Sequence, residues 1–298
     1  GVNMYQGARS NLNRRSVVGI FARYKFMYLM LLPGLLFIII FHYVPMVGLA
    51  IAFQDFSPIK GVFGSKFVGF ENFIYLFNSL QFRNAVVNTF IISFYKILFG
   101  FPAAIILALM INEVRAKYFQ KTIQTIVYLP HFLSWIVMYG LIFNLLRESG
   151  PVDQLVQLLG GKTIHFLSDA NYFRGVVIAS DLWKESGWNA IIYLAALAGV
   201  PQELYEAAQM DGASRFKCLW KISLPCIMPT ITIMFLLRIG SILNAGFDQI
   251  FALYNSAVFS VGDIIDTYVF RIGIQEAKFD VATAAGLFKS VFAFVLVF

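Results

Sequence analysis

The sequence predicts an all-α, polytopic membrane protein with about six transmembrane helices. Hydrophobic residues fill 59% of the 298 positions and charged residues only 13%, about half the ~25% charge of a soluble domain. Mean hydropathy is +0.73, and the 32 phenylalanines suit lipid-facing helices and interfacial belts. Apolar runs of about 20 residues, enough to cross a hydrocarbon core, recur along the chain. The formal charge of +7 reads as Lys and Arg holding loops at the membrane face. No basic patch with interleaved aromatics, the signature of a nucleic-acid binder, accompanies it.

Residues 1–25 form a basic leader carrying Arg9, Arg14, Arg15, Arg23 and Lys25. The apolar run that follows is too long for the core of a cleavable signal peptide and reads as a retained span. Residues 26–298 then form one transmembrane domain, with spans predicted over 26–53, 86–111, 121–146, 173–200, 226–247 and 280–298. Pro33 and Pro45 are tolerable in the first span because neighbouring groups re-satisfy the freed carbonyls. The last run is still apolar at Phe298, so a short tail is expected beyond it.

Orientation follows from the distribution of basic residues. With the N-terminus inside, the leader, Arg115, Lys117, Lys121, Arg215, Lys217 and Lys221 face the cytoplasm. The opposite loops carry Lys60, Lys66, Arg83, Arg147, Lys162, Arg174, Arg271 and Lys278, spread over more chain. Both termini are therefore expected in the cytoplasm. Among the outer loops, 56–77 predicts an interfacial helix from near Glu71, and 150–173 a short amphipathic helix and a turn. The "GGKT" at Gly160–Thr163 lacks the earlier glycine of a phosphate-binding loop, since position 156 is Val. Cys218 and Cys226 make neither a disulfide framework nor a metal quartet, and His42 and His165 have no ligand-spaced companions. No metal or cofactor is expected in this chain.

One polar segment interrupts the apolar pattern: "EAAQMDGASRFKCLWKISLPCIMP", Glu206 to Pro229. Pro201 suits the first position of a helix, where its missing N–H costs nothing. Leu204, Ala207, Ala208 and Asp211 share one face of that helix; Glu203, Glu206 and Met210 share another. Asp211-Gly212 breaks it, because glycine takes the positive φ of a turn. A second short helix follows, with Ser214 as cap and Phe216, Leu219, Trp220 and Ser223 in register; Leu224-Pro225 is expected to end it. The spacing fits a surface helix–turn–helix with one arm exposed and the other anchored by aromatics, or an ordinary amphipathic loop packed on its own protein.

Ionisable residues at membrane depth are costly and face a cavity or a partner. Lys96, Asp181, Lys184, Glu185, Arg238, Asp280 and Lys289 fall in or near spans. Asp181 and Lys184 stand i, i+3, so they could neutralise each other; alternatively Lys184 lines an aqueous path and attracts a carboxylated sugar. Sugar sites need aromatic faces and groups that both donate and accept hydrogen bonds. "GWNAIIY" offers Trp188, Asn189 and Tyr193, and "NAGFDQIFALYN" offers Asn244, Asp248, Gln249, Tyr254 and Asn255. Tyr193 falls one turn from Asn189 and Asn244 one turn from Asp248, so each pair shares a helical face. Interhelical hydrogen bonding is the alternative role for the same residues. His131, Ser134 and Trp135 after Pro130 are weaker candidates; a histidine beside proline is more often structural.

The pattern Glu206, Ala207, Ala208, Asp211, Gly212, Ala213, with Ile222, Leu224, Pro225 and Pro229 after it, resembles the cytoplasmic "EAA" loop of permease subunits in type I ATP-binding-cassette importers. "YLPHFLSW", "LWKESGWNAIIYLAAL" and "NAGFDQIFALYN" resemble the oligosaccharide and polysaccharide branch, most of all the membrane subunits of the alginate importer. The likeness runs from about residue 24 to the end. It implies the type I importer permease fold, with 201–229 as the coupling loop that seats in an ATPase groove. Glu206, Ala207, Ala208, Asp211, Gly212, Ala213, Phe216 and Trp220 would then be the docking residues. It further implies a second, non-identical permease, two ATPase subunits that hold ATP and Mg²⁺, and an extracytoplasmic solute-binding protein in a bacterial inner membrane. The chain itself would not be an enzyme. Import of an acidic oligo- or polysaccharide is expected; a neutral sugar carried by the same machine, or an ion-gradient-driven secondary transporter, are the alternatives. HExxH, paired catalytic Asp and Ser–Lys patterns of an intramembrane enzyme are absent from the sequence.

Overall fold

The computed structural model describes residues 24–297; the leader's Arg9, Arg14, Arg15 and Arg23 lie outside the described residues. The first helix, α1, is continuous over Lys25–Phe53. Its α-helical turns widen to a π turn at Ile39–Tyr43 and tighten to 3₁₀ over Val44–Phe53. Pro45 explains the change: the Val44 N–H bonds back to Ile39 instead of one residue nearer, which relieves the clash a proline ring makes with the carbonyl four residues before it. Except for Ala52, no residue of α1 is buried.

A two-stranded antiparallel ribbon, β1 (Gln54–Asp55) and β2 (Lys66–Phe67), folds the chain back into α2 (Glu71–Asn78). The expected helix from Glu71 is thus present, and Asn72 on it donates to the carbonyls of Ala52 and Gln54. The Ser79 hydroxyl then caps α3 (Leu80–Asn112), whose 33 residues span about 50 Å.

The predicted span over 121–146 is not one helix. α4 (Lys117–Tyr128) runs through a 3₁₀ turn at Leu129–Phe132, and α5 (Trp135–Leu146) leaves at 106° to it. Pro130 withdraws a donor at the turn, and the Ser134 hydroxyl accepts the Val137 N–H to start the new helix. After α6 (Pro151–Leu158), Asp169 caps α7 (Ala170–Ala198). Gly187 lets α4 approach α7 closely, since a Cβ there would lie 2.1 Å from the Val127 carbonyl.

Two short helices were expected after Pro201, and the first, α8 (Gln202–Met210), closes at Gly212 with φ +78°. The second does not end at Leu224-Pro225. It continues as α9 over Arg215–Gly240, because a π turn at Leu219–Ser223 again precedes the proline by two residues. The fifth span predicted to 247 stops at Gly240. An irregular segment, 241–246, separates it from α10 (Phe247–Leu253). Then come α11 (Ile265–Phe270) and α12 (Phe279–Val297).

Among the described residues, α1, α3, α9 and α12 are long and apolar enough to cross a membrane, and the bent α4–α6 run makes a fifth if its two arms count as one span. α7 is long enough, at about 43 Å, but Arg174, Asp181, Lys184 and Glu185 set it apart in composition. α3 and α7 form the centre. One core packs Ile92, Met138, Phe173, Val177 and Ile250; another packs Phe82, Tyr268, Ala284 and Ala285; a third joins Ala104, Tyr193, Leu197 and Ile227. The second is dense in edge-on rings, with Phe288 against both Phe77 and Phe82.

Candidate translocation path and docking loop

Irregular backbone is tolerated at membrane depth only where protein or water satisfies it. The 241–246 break meets that condition through Lys96 of α3. Its ammonium donates to the Ala245 carbonyl at 2.8 Å and to Gln249 Oε1, and pairs with Asp181 at 2.9 Å. Gln249 completes the clasp by donating to the Val177 carbonyl and Ser180 Oγ on α7. Gly246 turns into the clasp at φ +95°.

This arrangement corrects three expectations. Asp181 does not pair with Lys184; the partner is Lys96, which reaches across from another helix. Gln249 is completely buried and bonded to Lys96, Val177 and Ser180, so in this structure it braces the bundle and lines neither of the two cavities along α7. Asn244 and Asp248 share no helical face, because Asn244 lies in the break; its Oδ1 accepts from Lys289, which is itself paired with Asp266.

Lys184 is satisfied by the bend in the third span. Breaking the helix around Pro130 frees main-chain carbonyls, and the Lys184 ammonium donates to those of Pro130 and His131. It also stands 5.4 Å from the Trp135 ring and 3.6 Å from Glu185. His131 proves less solitary than its sequence context suggests. Its Nδ1 lies 2.8 Å from Glu185 Oε2 and its ring stacks flat on Trp188, centroids 4.4 Å apart. Sequence spacing carries no signal for these contacts, since 54 positions separate His131 from Glu185.

Two cavities open along one stripe of α7, formed by Glu185, Asn189 and Tyr193 at successive i, i+4 positions. The first, of ≈ 550 Å³, is walled by Trp135, Tyr139, Lys184, Glu185, Asp248 and Phe251. Both carboxylates and the aromatic faces there are accessible, and Asp248 is exposed. The second, of ≈ 210 Å³, is walled by Phe101, Asn189, Tyr193, Arg238 and Ser241. Of the predicted path residues, Lys184 and Asp248 thus share one cavity, and Asn189 and Tyr193 the other. Trp188 is exposed beside them against Phe132. Tyr254 packs on Phe251 and Phe259, and Asn255 donates to the Leu167 carbonyl. Sequence reading did not link Arg238 to Asn189 and Tyr193; only the antiparallel packing of α9 on α7 does so.

The 202–220 segment projects from the bundle. No residue of α8 is buried, which agrees with one exposed arm. The aromatics of the second arm do not anchor it: Phe216 is 70% and Trp220 57% exposed. Their rings meet edge-on, and Leu204 and Met210 add further apolar surface. The anchors are smaller groups. Tyr205 and the fully buried Ser223 share a 2.8 Å hydrogen bond between hydroxyls, and Cys218 is buried nearby. α9 is unbroken from Arg215 to Gly240, so one helix joins the hairpin to the edge of the 241–246 break. Among the described residues no group of three His, Cys, Asp or Glu is placed to hold a metal ion.

Comparison with known proteins accounts for this architecture. The chain is 47% identical to Protein LplB of Bacillus subtilis, over 93% of this chain and 87% of that protein. It is 42% identical to the polygalacturonan/rhamnogalacturonan transport system permease protein YteP of the same organism, over 92% and 85%. A solved structure of a bacterial ABC transporter involved in the import of the acidic polysaccharide alginate superposes with TM-score 0.86. It is 43% identical and covers 94% of this chain and 95% of the other. The same transporter type, solved with an alginate pentasaccharide-bound periplasmic protein, also matches at TM-score 0.86 with 42% identity, covering 94% of each chain. Residues 100–298 match the family described as binding-protein-dependent transport system inner membrane component. The chain belongs to that family, the integral inner-membrane permease subunits of ABC importers.

Proposed function

We propose that this permease carries an acidic oligo- or polysaccharide inward, receiving it from an extracytoplasmic solute-binding protein. In this reading a second, non-identical permease completes the path, and two separate ATPase subunits supply the energy from ATP and Mg²⁺. Both termini face the cytoplasm, with residues 1–25 as a cytoplasmic segment and 26–298 as the permease domain. The carrying observation is the exposed hairpin: Leu204, Met210, Phe216 and Trp220 present apolar side chains around Glu206, Ala207, Ala208, Asp211, Gly212 and Ala213. Such a patch on a loop anchored by the Tyr205–Ser223 hydrogen bond and the buried Cys218 suits a partner surface better than water. ATP-driven closure of the ATPase pair would move this hairpin, and α9 would transmit the movement to the bundle. Small side chains at Ala207 and Ala208 permit close approach of a partner backbone. Two relatives are named for alginate and polygalacturonan, both polyuronates, which supports an acidic cargo.

Reconstitution of the chain with its partner permease, ATPases and binding protein tests this reading. ATP hydrolysis stimulated by acidic more than by neutral oligosaccharides is the expected result. Uptake that survives ATP depletion but collapses with an ionophore would instead establish a secondary transporter.

A further inference from the structure

Among the described residues, basic side chains along the centre of this bundle come in satisfied sets, with one exception. Lys96 is held by Asp181, Ala245 and Gln249; Lys184 by two carbonyls and Glu185; Arg271 by Asp263; Lys289 by Asp266. Arg174 is bound to Asn88 and the Val261 carbonyl. Arg238 is different. Among the described residues its guanidinium has no carboxylate, carbonyl or other hydrogen-bond partner. It sits in the last turn of α9, half-buried, where the helix stops within the bundle. The C-terminal end of α9 favours a cation there, but a helix dipole leaves the guanidinium donors themselves unfilled.

Those donors line the ≈ 210 Å³ cavity with Asn189, Tyr193, Ser241 and Phe101. The Asn189 carboxamide and the Tyr193 hydroxyl also lack partners among the described residues, although Tyr193 is only 2% exposed. Neither is an orphaned group sealed in protein, since Gln54 Oε1 and Ser93 Oγ are the buried side-chain atoms left unpaired among the described residues. Their polar ends therefore open into the cavity. One wall thus offers a planar five-donor cation, the next an amide and a phenol that both donate and accept, and the third an aromatic ring.

We propose that Arg238 selects the carboxylate of a sugar acid, with Asn189 and Tyr193 engaging the hydroxyls of the same ring. This deepens the acidic-saccharide reading above and rests on it. A guanidinium meets a carboxylate with two parallel hydrogen bonds, and the energy is greatest where water is scarce. At ≈ 210 Å³ the cavity is on the scale of one sugar ring, so under this proposal the selection is applied to each unit of a chain in passage. The larger cavity cannot serve the same purpose, because Lys184 is already filled and the open charge there is the Asp248 carboxylate. Anion selection therefore belongs to Arg238 and not to Lys184.

The complete importer in proteoliposomes tests this. ATP hydrolysis is titrated with trimers of galacturonate, mannuronate and guluronate, and with the same trimers after carboxyl reduction to neutral sugars. The wild-type complex should respond to an acidic trimer at about tenfold lower concentration than to its neutral counterpart. Arg238→Gln should shrink that preference to about twofold or less, while Arg238→Lys retains most of it. An Arg238→Gln complex with the wild-type preference, or with both responses lowered equally, overturns the subsite. So does failure of the permease pair to assemble, which would make Arg238 an interface residue. A wild-type complex answering neither trimer defeats the saccharide reading itself. One answering both alike defeats the acidic reading and Arg238's role with it.

Discussion

Lys96 and Asp181 meet at 2.9 Å between α3 and α7 with side chains 6% and 11% exposed. Through Ala245 and Gln249 the same pair fixes the irregular segment between α9 and α10. Removing one member strands the other's charge, which costs about 3–5 kcal/mol in buried pairs, whereas replacing both by apolar groups is often neutral. Lys96→Met and Asp181→Leu should each lower the thermal midpoint of the detergent-solubilised protein, and the double variant should recover part of the loss. Strictly additive losses would show that the pair is not coupled.

Gly246 is the hinge of that clasp. At φ +95° a Cβ would sit 2.9 Å from Lys96 Nζ. Gly246→Ala therefore incurs a left-handed backbone penalty of about 1–2 kcal/mol and pushes the ammonium out of its seat. Destabilisation should be accompanied by faster cysteine labelling at position 244, a readout of the loosened segment. Unchanged labelling would separate the glycine from the clasp.

Much of the architecture was legible before any contact was known, for reasons particular to membrane chains. Apolar runs located the helices, and the Glu71 and Pro151 helices announced themselves by composition and turn residues. Legibility failed where two local rules competed. Pro225 signals a helix end, yet the π turn at Leu219–Ser223 absorbs it and α9 continues. Pro130 falls inside the apolar run predicted as one span over 121–146, yet with the Ser134 cap it bends the chain by 106°. Pairings across helices were beyond sequence reading altogether. Asp181 had a plausible partner three residues away in Lys184, and only packing reveals that Lys96 is nearer and Lys184 is taken by freed carbonyls. The alternation of Asn189 and Tyr193 was visible from spacing, but their convergence on Arg238 was not.

Close helix contact supplies a matched pair of glycine tests on α7. At Gly187 an added Cβ would lie 2.1 Å from the Val127 carbonyl, a backbone atom that cannot swing aside; at Gly175 nothing lies within 4 Å. Gly187→Ala should destabilise by about 1–3 kcal/mol, the usual cost of overpacking. Gly175→Ala should be neutral or gain up to about 1 kcal/mol from helix propensity. Thermal unfolding of the two variants side by side decides it, and equal behaviour would refute the α4–α7 contact.

Exposure of Phe216 and Trp220 makes a prediction opposite to that for core aromatics. A buried ring truncated to alanine costs about 3–5 kcal/mol. These rings are 70% and 57% exposed, so Phe216→Ala and Trp220→Ala should leave the isolated permease's stability within about 0.5 kcal/mol. If the hairpin seats in an ATPase, the same variants should weaken its co-purification and reduce saccharide-stimulated ATP hydrolysis by about tenfold or more, consistent with interface anchors worth ~2 kcal/mol. Tyr205→Phe should act otherwise. It retains the ring but loses the hydroxyl bond to Ser223 that ties α8 to α9. ATPase binding should then persist while hydrolysis becomes insensitive to substrate, because the hairpin moves without taking α9 along. Gly212→Asp adds strain at φ +78° and places a charge in the docking face, so both binding and coupling should fail while membrane insertion continues. Normal substrate-stimulated hydrolysis in all four variants would remove the hairpin from the coupling route.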